Sequence, residues 1–321
     1  MQTMRALRLE KFGSVADLQI REIEKPQASA GQVLVEIWSA GINPSDVKNV
    51  TGAMKQTTLP RTLGRDVAGI VVEGPASLKG AAVWATGGGL GFTVDGCHAE
   101  FVLLPEAAVR RKPDSLSLEQ AGAIGVPFLT AWLALVHAAA VRAGETVVIV
   151  GASGAVGNAA TQIARWKGAR VIGADRRKPG RSPADESIDT TAEDLRESVL
   201  RLTGGRGADV TFDTVGGPMF EPCLQCLDRG GRQVNISSGG DHRVSFNLVD
   251  FYHRELTLHG VDSLQRDLAS SAGILDQLKP GFDSGALAAP VTKAYPLTQA
   301  KEAYETLAAG KAESKLAIAP R

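Results

Sequence analysis

"IVGASGAVGNAATQIARWKGARVIGADRRK", residues 149–178, passes from an apolar strand pattern through a glycine-rich turn into a helix and a second apolar strand. Such a turn brings the backbone close to a pyrophosphate, whose charge then meets the amides at the helix N-terminus. In the usual G-x-G-x-x-G pattern, Ala152 here replaces the first glycine, while Gly154 and Gly157 keep their spacing. A plain turn is the alternative, but Asp175, 18 residues after Gly157, ends the second strand and favours dinucleotide binding. The predicted contacts of this turn are Gly151, Ser153, Gly154, Ala155, Val156 and Gly157.

The residues after the second strand bear on the choice of cofactor. A carboxylate at Asp175 suits the ribose hydroxyls of NAD and repels the 2′-phosphate of NADP. Arg176, Arg177 and Lys178 follow it, and an arginine fork matches a phosphate. Because several cations outweigh one anion if the aspartate turns away, we predict NADP(H); a solvated basic turn is the alternative. The segment "RKPGRSPAD", residues 177–185, contains two prolines and is not expected to be helical.

The order of patterns along the chain predicts an α/β protein with two domains. Short β runs, among them "MRALRLE", "QVLVEIWSAGINPSD" and "HAEFVLLP", reach to about residue 118 and are separated by Gly and Pro. An Ala- and Leu-rich helical segment follows, and then apolar strands alternate with helices, which is typical of a doubly wound parallel sheet. We therefore predict a β-rich domain over residues 1–120, completed by 265–321, and a dinucleotide-binding domain over 121–264.

Composition limits the classes of partner. The 321 residues carry 35 basic and 35 acidic side chains, so neither nucleic acid nor an anionic membrane is expected as the main partner. No apolar run is long enough to span a bilayer, and no leader pattern is recognised. Three cysteines are too few for a disulfide scaffold, which favours the cytoplasm.

Seven segments carry a resemblance to a known family. They are "SAGINPSDVKNVTG" (39–52), "LGRDVAGIVVEG" (63–74), "LTAWLAL" (129–135), "GASGAVG" (151–157), "ADESID" (184–189), "FDTVGG" (212–217) and "GGRQVNIS" (230–237). Together they resemble the medium-chain dehydrogenase/reductases, in the zinc-free quinone oxidoreductase branch that includes zeta-crystallin. The resemblance implies a GroES-like catalytic domain, a Rossmann cofactor domain and a cleft between them.

The resemblance also bears on metal binding. The zinc-dependent members carry a cysteine at or near the position of Asn43 and a His-Glu pair at Arg65-Asp66, and the closely spaced structural cysteines are missing here. Cys97 and His98 are adjacent, so in a strand they would point to opposite faces, although a loop could bring both onto one metal. Cys223 and Cys226 share a helix face, as buried free thiols or as a metal or redox pair. We predict no metal.

Several site residues follow from the family's pattern alone. Asn43 matches a cleft asparagine suited to a carbonyl or quinone oxygen, and Lys48 stands where a tyrosine is frequent. Lys48 would either stabilise the charge on the product oxygen or lie at the rim of the cleft in water. Arg65 would either lie near the cleft or form an ion pair with Asp66. The resemblance implies further cofactor contacts at Thr130, Val215, Ser237, Ser238 and Lys315. For Lys315, the alternative is a lysine at the protein surface.

We predict an enzyme that passes hydride from NADPH to a quinone or an α,β-unsaturated carbonyl without zinc. Two alternatives stay open: an enoyl or alkenal reductase with the same cofactor, and a non-catalytic NADPH-binding sensor or RNA-associated protein. The family is often dimeric through the last strand of the cofactor domain, and "LTLHGVDS" is apolar enough for such edge pairing. A homodimer is therefore expected.

Overall fold

A computed structural model describes residues 2–176, 182–240 and 242–320. The strands are β1 Thr3–Leu9, β2 Gln19–Glu24, β3 Gln32–Gly41, β4 Arg61–Thr62, β5 Asp66–Glu73, β6 Ala82–Thr86, β7 Phe101–Pro105, β8 Arg110–Arg111, β9 Thr146–Val150, β10 Arg170–Asp175, β11 Glu186–Asp189, β12 Ala208–Asp213, β13 Leu227–Asn235, β14 Thr257–Gly260, β15 Thr292–Pro296 and β16 Lys315–Ala319. The α-helices are α1 Pro44–Val50, α2 Leu118–Ala123, α3 Gly125–Trp132, α4 Ala155–Trp166, α5 Leu195–Leu202, α6 Phe220–Gln225, α7 Leu248–His253, α8 Leu268–Asp283 and α9 Ala300–Ala308. A π-helix, Leu133–Ala138, continues α3.

The chain divides into two compact units. Met1–Leu129 with Ser263–Arg321 form the β-rich unit, and Thr130–Asp262 form the parallel-sheet unit. The α/β fold class is confirmed, whereas the assignment of residues 1–120 with 265–321 and of 121–264 to two domains stays a prediction.

The parallel-sheet unit is built on one six-stranded sheet in the order β11-β10-β9-β12-β13-β14. Every neighbouring pair in it is parallel. All five residues of the central strand β9 are buried, as expected of an apolar strand covered on both faces. Because β9 has β10 on one side and β12 on the other, the strand order reverses at β9, where ligands of such sheets bind outside the carboxyl ends.

Among its described residues, the β-rich unit holds two sheets. One has the order β15-β16-β3-β5-β6-β8 with β7 also paired to β3, and the other has the order β2-β1-β4. The C-terminal strand β16 lies antiparallel beside β3, with Ala317 opposite Gly41 and Ile318 opposite Ala40. This pairing places the end of the chain next to the residues that follow β3, which becomes important for the site.

Two segments differ from the sequence-based expectation. In the β run 32–46, strand β3 ends at Gly41 and helix α1 begins at Pro44, because proline suits the first helical position and Asp46 accepts the amide of Asn43. Helix α8 was not predicted, because Gly273 and Pro280 interrupt its pattern. It is stabilised by packing, since its Phe282 contacts the rings of Trp84 and Phe128.

No helix in the described ranges is both long enough and apolar enough to cross a bilayer. The segment predicted to be non-helical, residues 177–185, lies in part outside the described residues, and none of its described residues, 182–185, is helical.

Candidate functional site

The glycine-rich turn of the parallel-sheet unit is shaped by close backbone contacts. Gly151 follows β9 with a φ of 80°, and a Cβ added to it would lie 2.3 Å from the hydroxyl oxygen of Thr214. At Gly157, inside α4, a Cβ would lie 2.0 Å from the carbonyl oxygen of Gly151. The tight turn is therefore made by Gly151, one residue before the position of the usual first glycine, and Gly157 lets the helix pack against it.

The start of α4 fits a pyrophosphate. Gly154 is the N-cap residue and has no side chain to occupy the amides of the first helical turn. The first helical residues, Ala155 and Val156, belong to a helix of 12 residues whose partial positive charge favours an anion. The predicted pyrophosphate contacts thus lie together on one turn, and the residues present fit the group that the turn was predicted to bind.

Asp175 at the end of β10 is turned toward this turn. Its carboxylate accepts the amide of Ser153 at 3.0 and 3.2 Å and the hydroxyl of Ser153 at 2.7 Å. Partial burial raises the pKa of Asp175, and the two donors of Ser153 act against that rise. Arg176 follows and is exposed, while Arg177 lies outside the described residues.

Three other predicted contacts in this unit, Val215, Ser237 and Ser238, follow the carboxyl ends of β12 and β13. Val215 is half-buried, and its amide donates to Asp213 at 2.9 Å. Ser237 is half-buried and Ser238 is exposed, with its hydroxyl 2.9 Å from Nδ1 of His242. Thr130 lies buried in α3.

Asp213 organises these loops, and the sequence analysis missed it. Besides the amide of Val215 it accepts the amide of Gly216 at 2.8 Å and the amide side chain of Asn235 at 3.0 Å. Burial raises the pKa of Asp213, and these three donors oppose the rise. The sequence signal available was an aspartate at the end of an apolar strand.

In the β-rich unit, Asn43 lies between β3 and α1 and is only 2% exposed. Its Nδ2 donates to Oδ2 of Asp66 at 2.9 Å. Its Oδ1 accepts from Nζ of Lys315 at 2.7 Å. Both ends of the amide therefore contact a charged side chain.

Asp66, at the first position of β5, is fully buried. Its Oδ1 accepts the hydroxyl of Thr86 at 2.6 Å and the amide of Val126 at 2.7 Å. With Asn43, three donors from three different segments satisfy this carboxylate. The sequence analysis considered Asp66 only as a partner of Arg65.

Lys315 begins β16 and is buried, with 8% of its surface exposed. Besides Asn43, its ammonium donates to the carbonyl oxygen of Ile42 at 2.8 Å. Burial lowers the pKa of Lys315, and the carboxylates of Asp66 and Asp46 oppose that change. The main-chain bond from the amide of Ile42 to the carbonyl of Leu316, at 2.9 Å, sets β16 in the register that brings Lys315 here.

Arg65 is buried beside the hydrogen-bonded group of Asn43, Asp66 and Lys315. Its two terminal nitrogens lie 3.5 Å from the hydroxyls of Ser45 and Ser263, and its guanidinium lies 5.4 Å from the ring centre of Phe92. Lys48, by contrast, is exposed on α1.

Asp46 is a second buried carboxyl group, which the sequence analysis did not single out. Its Oδ2 accepts the main-chain amide of Asn43 at 2.7 Å. Burial raises the pKa of Asp46 to about 7, although the positive charge of Arg65 acts to lower it. This carboxyl group is therefore near its midpoint of protonation at neutral pH.

The imidazole of His98 is buried, and both of its nitrogens form hydrogen bonds within the protein. Its Nε2 lies 3.2 Å from the carbonyl oxygen of Gly41, which can only accept, so Nε2 carries the proton and Nδ1 accepts the hydroxyl of Tyr304 at 2.9 Å. Burial lowers the pKa of His98 to about 4. The neighbouring thiol of Cys97 is buried, as are those of Cys223 and Cys226.

The side chains at the positions of the family's zinc ligands do not suit zinc. Asn43 and Asp66 are bound to each other, and the cations Arg65 and Lys315 lie at or beside them, where a divalent ion would be repelled. Within residues 2–176, 182–240 and 242–320, no group of three or more His, Cys, Asp and Glu side chains could hold a metal ion.

The buried Asp46 predicts a pH-dependent stability. Because its folded pKa lies above the unfolded value of 3.8, its contribution to stability is complete below that value and is lost as the pH rises through about 7. Asp46→Asn keeps an acceptor for the amide of Asn43 but cannot ionise. Between about pH 5 and about pH 8, the free energy of unfolding of the variant should rise by about 2–3 kcal/mol relative to that of the unchanged chain.

Urea unfolding of both proteins at the two pH values measures this difference. Asp114→Asn, at a side chain that is 98% exposed, serves as the control and should show no comparable gain. A difference between Asp46→Asn and the unchanged chain that does not vary with pH would contradict the burial of this charge.

Comparison with known proteins agrees with this architecture. Residues 29–114 match the sequence family described as "Alcohol dehydrogenase GroES-like domain", and residues 155–274 match the one described as "Zinc-binding dehydrogenase". A solved structure of an alcohol dehydrogenase superfamily protein from Novosphingobium aromaticivorans superposes with a TM-score of 0.88 at 30% identity, over 99% of this chain and 100% of that one.

Two curated relatives extend the comparison. The zinc-type alcohol dehydrogenase-like protein C337.11 of Schizosaccharomyces pombe is 37% identical over 289 residues, which cover 89% of this chain and 86% of that protein. The human quinone oxidoreductase is 30% identical over 318 residues, which cover 96% of this chain and 94% of that enzyme. The chain therefore belongs to the medium-chain dehydrogenase/reductase superfamily, in the branch of the quinone oxidoreductases, and is an oxidoreductase.

Proposed function

We propose that the chain uses NADPH to reduce a quinone or an α,β-unsaturated carbonyl, without a metal ion. The observation that carries this proposal is the start of α4, where Gly151, Gly154 and Gly157 leave room and amides for a pyrophosphate. The human relative, a quinone oxidoreductase, supports a quinone as acceptor. The cations beside Asn43 support a reaction that does not use zinc.

The residues of the chain have distinct parts in this proposal. Bound NADPH would supply the hydride, as nicotinamide cofactors do. The turn at Gly151–Gly157 holds the pyrophosphate, and Thr130, Val215, Ser237 and Ser238 are the proposed contacts nearer the nicotinamide. Asn43 donates a hydrogen bond to the oxygen of the acceptor, where negative charge grows during reduction. Lys48, which is exposed, is the proposed second stabiliser of that oxygen.

The preference for NADPH rests on how Asp175 is bound. Its carboxylate already accepts the amide and the hydroxyl of Ser153, so it is directed toward the glycine-rich turn. A carboxylate held in this way repels a 2′-phosphate less than one pointing outward, and the adjacent Arg176 supplies the opposite charge. We therefore assign Asp175 to the shape of the turn, and Arg176 and Arg177 to binding the 2′-phosphate of NADPH.

Titration of both cofactors tests this preference. NADPH should bind at least several-fold more tightly than NADH, and the double substitution Arg176→Ala and Arg177→Ala should weaken NADPH alone, by about tenfold, because charge-assisted bonds to phosphate are lost. Arg229→Ala, which removes a surface pair with Glu255, is the control for a lost positive charge. Equal affinities for the two cofactors, or tighter NADH, would show that Asp175 sets the preference instead.

A second measurement tests the reaction. With NADPH and a panel of quinones and enones, the absorbance of the reduced cofactor should fall, and Asn43→Ala should lower kcat by about 100-fold, the usual order for loss of one donor to a developing oxyanion. Lys55→Met, an exposed lysine of the same unit, is the control. Faster turnover of simple enones than of any quinone would favour the enoyl or alkenal reductase. Saturable NADPH binding without turnover of any acceptor would favour a non-catalytic protein.

We further propose a homodimer in the cytoplasm. In the described part of the chain, β14 is the last strand of the parallel sheet, and one of its two edges pairs with β13. Its other edge is suited to pairing with a second copy of the chain. The free thiols of Cys97, Cys223 and Cys226 are consistent with a reducing compartment. Sedimentation at the mass of a single chain would contradict the dimer.

A further inference from the structure

The side-chain amide of Asn43 can be held in only one orientation by its neighbours. An ammonium group donates hydrogen bonds and cannot accept them, while an ionised carboxylate only accepts. Lys315 faces Oδ1 of Asn43 at 2.7 Å, and Asp66 faces Nδ2 at 2.9 Å. Turning the amide over would place nitrogen against nitrogen and oxygen against oxygen, so both contacts would become repulsive.

The two charged neighbours are themselves held in place. Asp66 is anchored by Thr86 and by the amide of Val126, and Lys315 by the carbonyl of Ile42. All the side chains that form these bonds are buried or nearly so, and hydrogen bonds to charged groups gain strength where water is excluded. Rotation of the amide would therefore break two charge-assisted bonds at once.

The main chain of Asn43 is held by separate bonds, one of them from the amide of Asp46 to the carbonyl oxygen of Asn43 at 2.9 Å. Its amide nitrogen donates to Asp46, which lies one helical turn ahead in α1. The side chain takes no part in that bond, so the orientation of the side-chain amide depends on Lys315 and Asp66. An Nδ2 group has two hydrogens, and the bond to Asp66 uses one of them.

We propose that Lys315 and Asp66 are positioning residues that hold the amide of Asn43 so that it offers its second N–H, and never its oxygen, to the substrate. This inference rests on the proposed function, in which Asn43 contacts the acceptor. It requires an acceptor that presents a carbonyl or quinone oxygen at this point, because a donated N–H is favourable where negative charge develops. It also assigns the ammonium of Lys315 to Asn43 and not to the dinucleotide.

Kinetics of Lys315 variants test the consequence for the reaction. Lys315→Met removes the charge and the donor at similar length, so kcat with a quinone should fall by about 10-fold or more, while the Kd for NADPH stays within about twofold. Lys315→Arg keeps a donor and a charge and should recover most of the lost kcat. Lys311→Met, an exposed lysine just before β16, should leave both quantities unchanged.

Two kinetic outcomes would overturn the proposal. An unchanged kcat in Lys315→Met would show that the amide needs no such restraint. A large rise in the Kd for NADPH with little change in kcat would show that Lys315 contacts the cofactor.

Neutron diffraction from crystals of the unchanged chain in heavy water tests the orientation itself, and needs neither activity nor a folded variant. Deuterium on Nδ2 should lie toward Oδ2 of Asp66, and deuterium on Nζ of Lys315 should lie toward Oδ1 of Asn43. Deuterium of the Asn43 amide directed at Lys315 would overturn the proposal. If the chain turned over no acceptor, the proposed function would fail, while the neutron result would still decide the orientation.

Discussion

The buried carboxylate of Asp66 is the constraint on which the β-rich unit depends at its site. Burying a carboxylate is costly unless its oxygens are hydrogen-bonded, and a hydrogen bond to a charged group contributes about 1.5–3 kcal/mol. Asn43, Thr86 and the amide of Val126 satisfy Asp66 from three segments that are distant in sequence. This carboxylate thus links the start of α1, the end of β6 and the start of α3 to β5.

The same device recurs in the parallel-sheet unit. Asp213 ends β12 and holds the next loop through two main-chain amides, and Asp175 ends β10 and holds Ser153 of the glycine-rich turn. In each case a carboxylate at a strand end fixes a loop from which ligand contacts are proposed. The acid that sequence reasoning treats as a selector of cofactor is, in this chain, already engaged in shaping the turn.

The local patterns were predictable, and the long-range contacts were not. Strands β9 and β10, helix α4 and the turn between them follow from apolar runs and glycine spacing, and the α/β class follows from their alternation. Helix α8 was not predicted because its Pro280 and Gly273 weaken the local helical pattern. It is stabilised by the contact of Phe282 with Trp84, which is distant in the sequence. Lys315 was expected at the cofactor because of its place in the family's pattern. Its contact with Asn43 depends on the pairing of β16 with β3, which no local pattern encodes.

A double-mutant cycle tests most directly whether Lys315 acts on the reaction only through Asn43. The quantity to measure is kcat/KM for one quinone in the unchanged chain, in Asn43→Ala, in Lys315→Met and in the double variant. We expect Lys315→Met to lower kcat/KM by about tenfold or more when Asn43 is present and by less than about twofold when Asn43 is alanine. Equal losses in the two backgrounds would contradict this expectation.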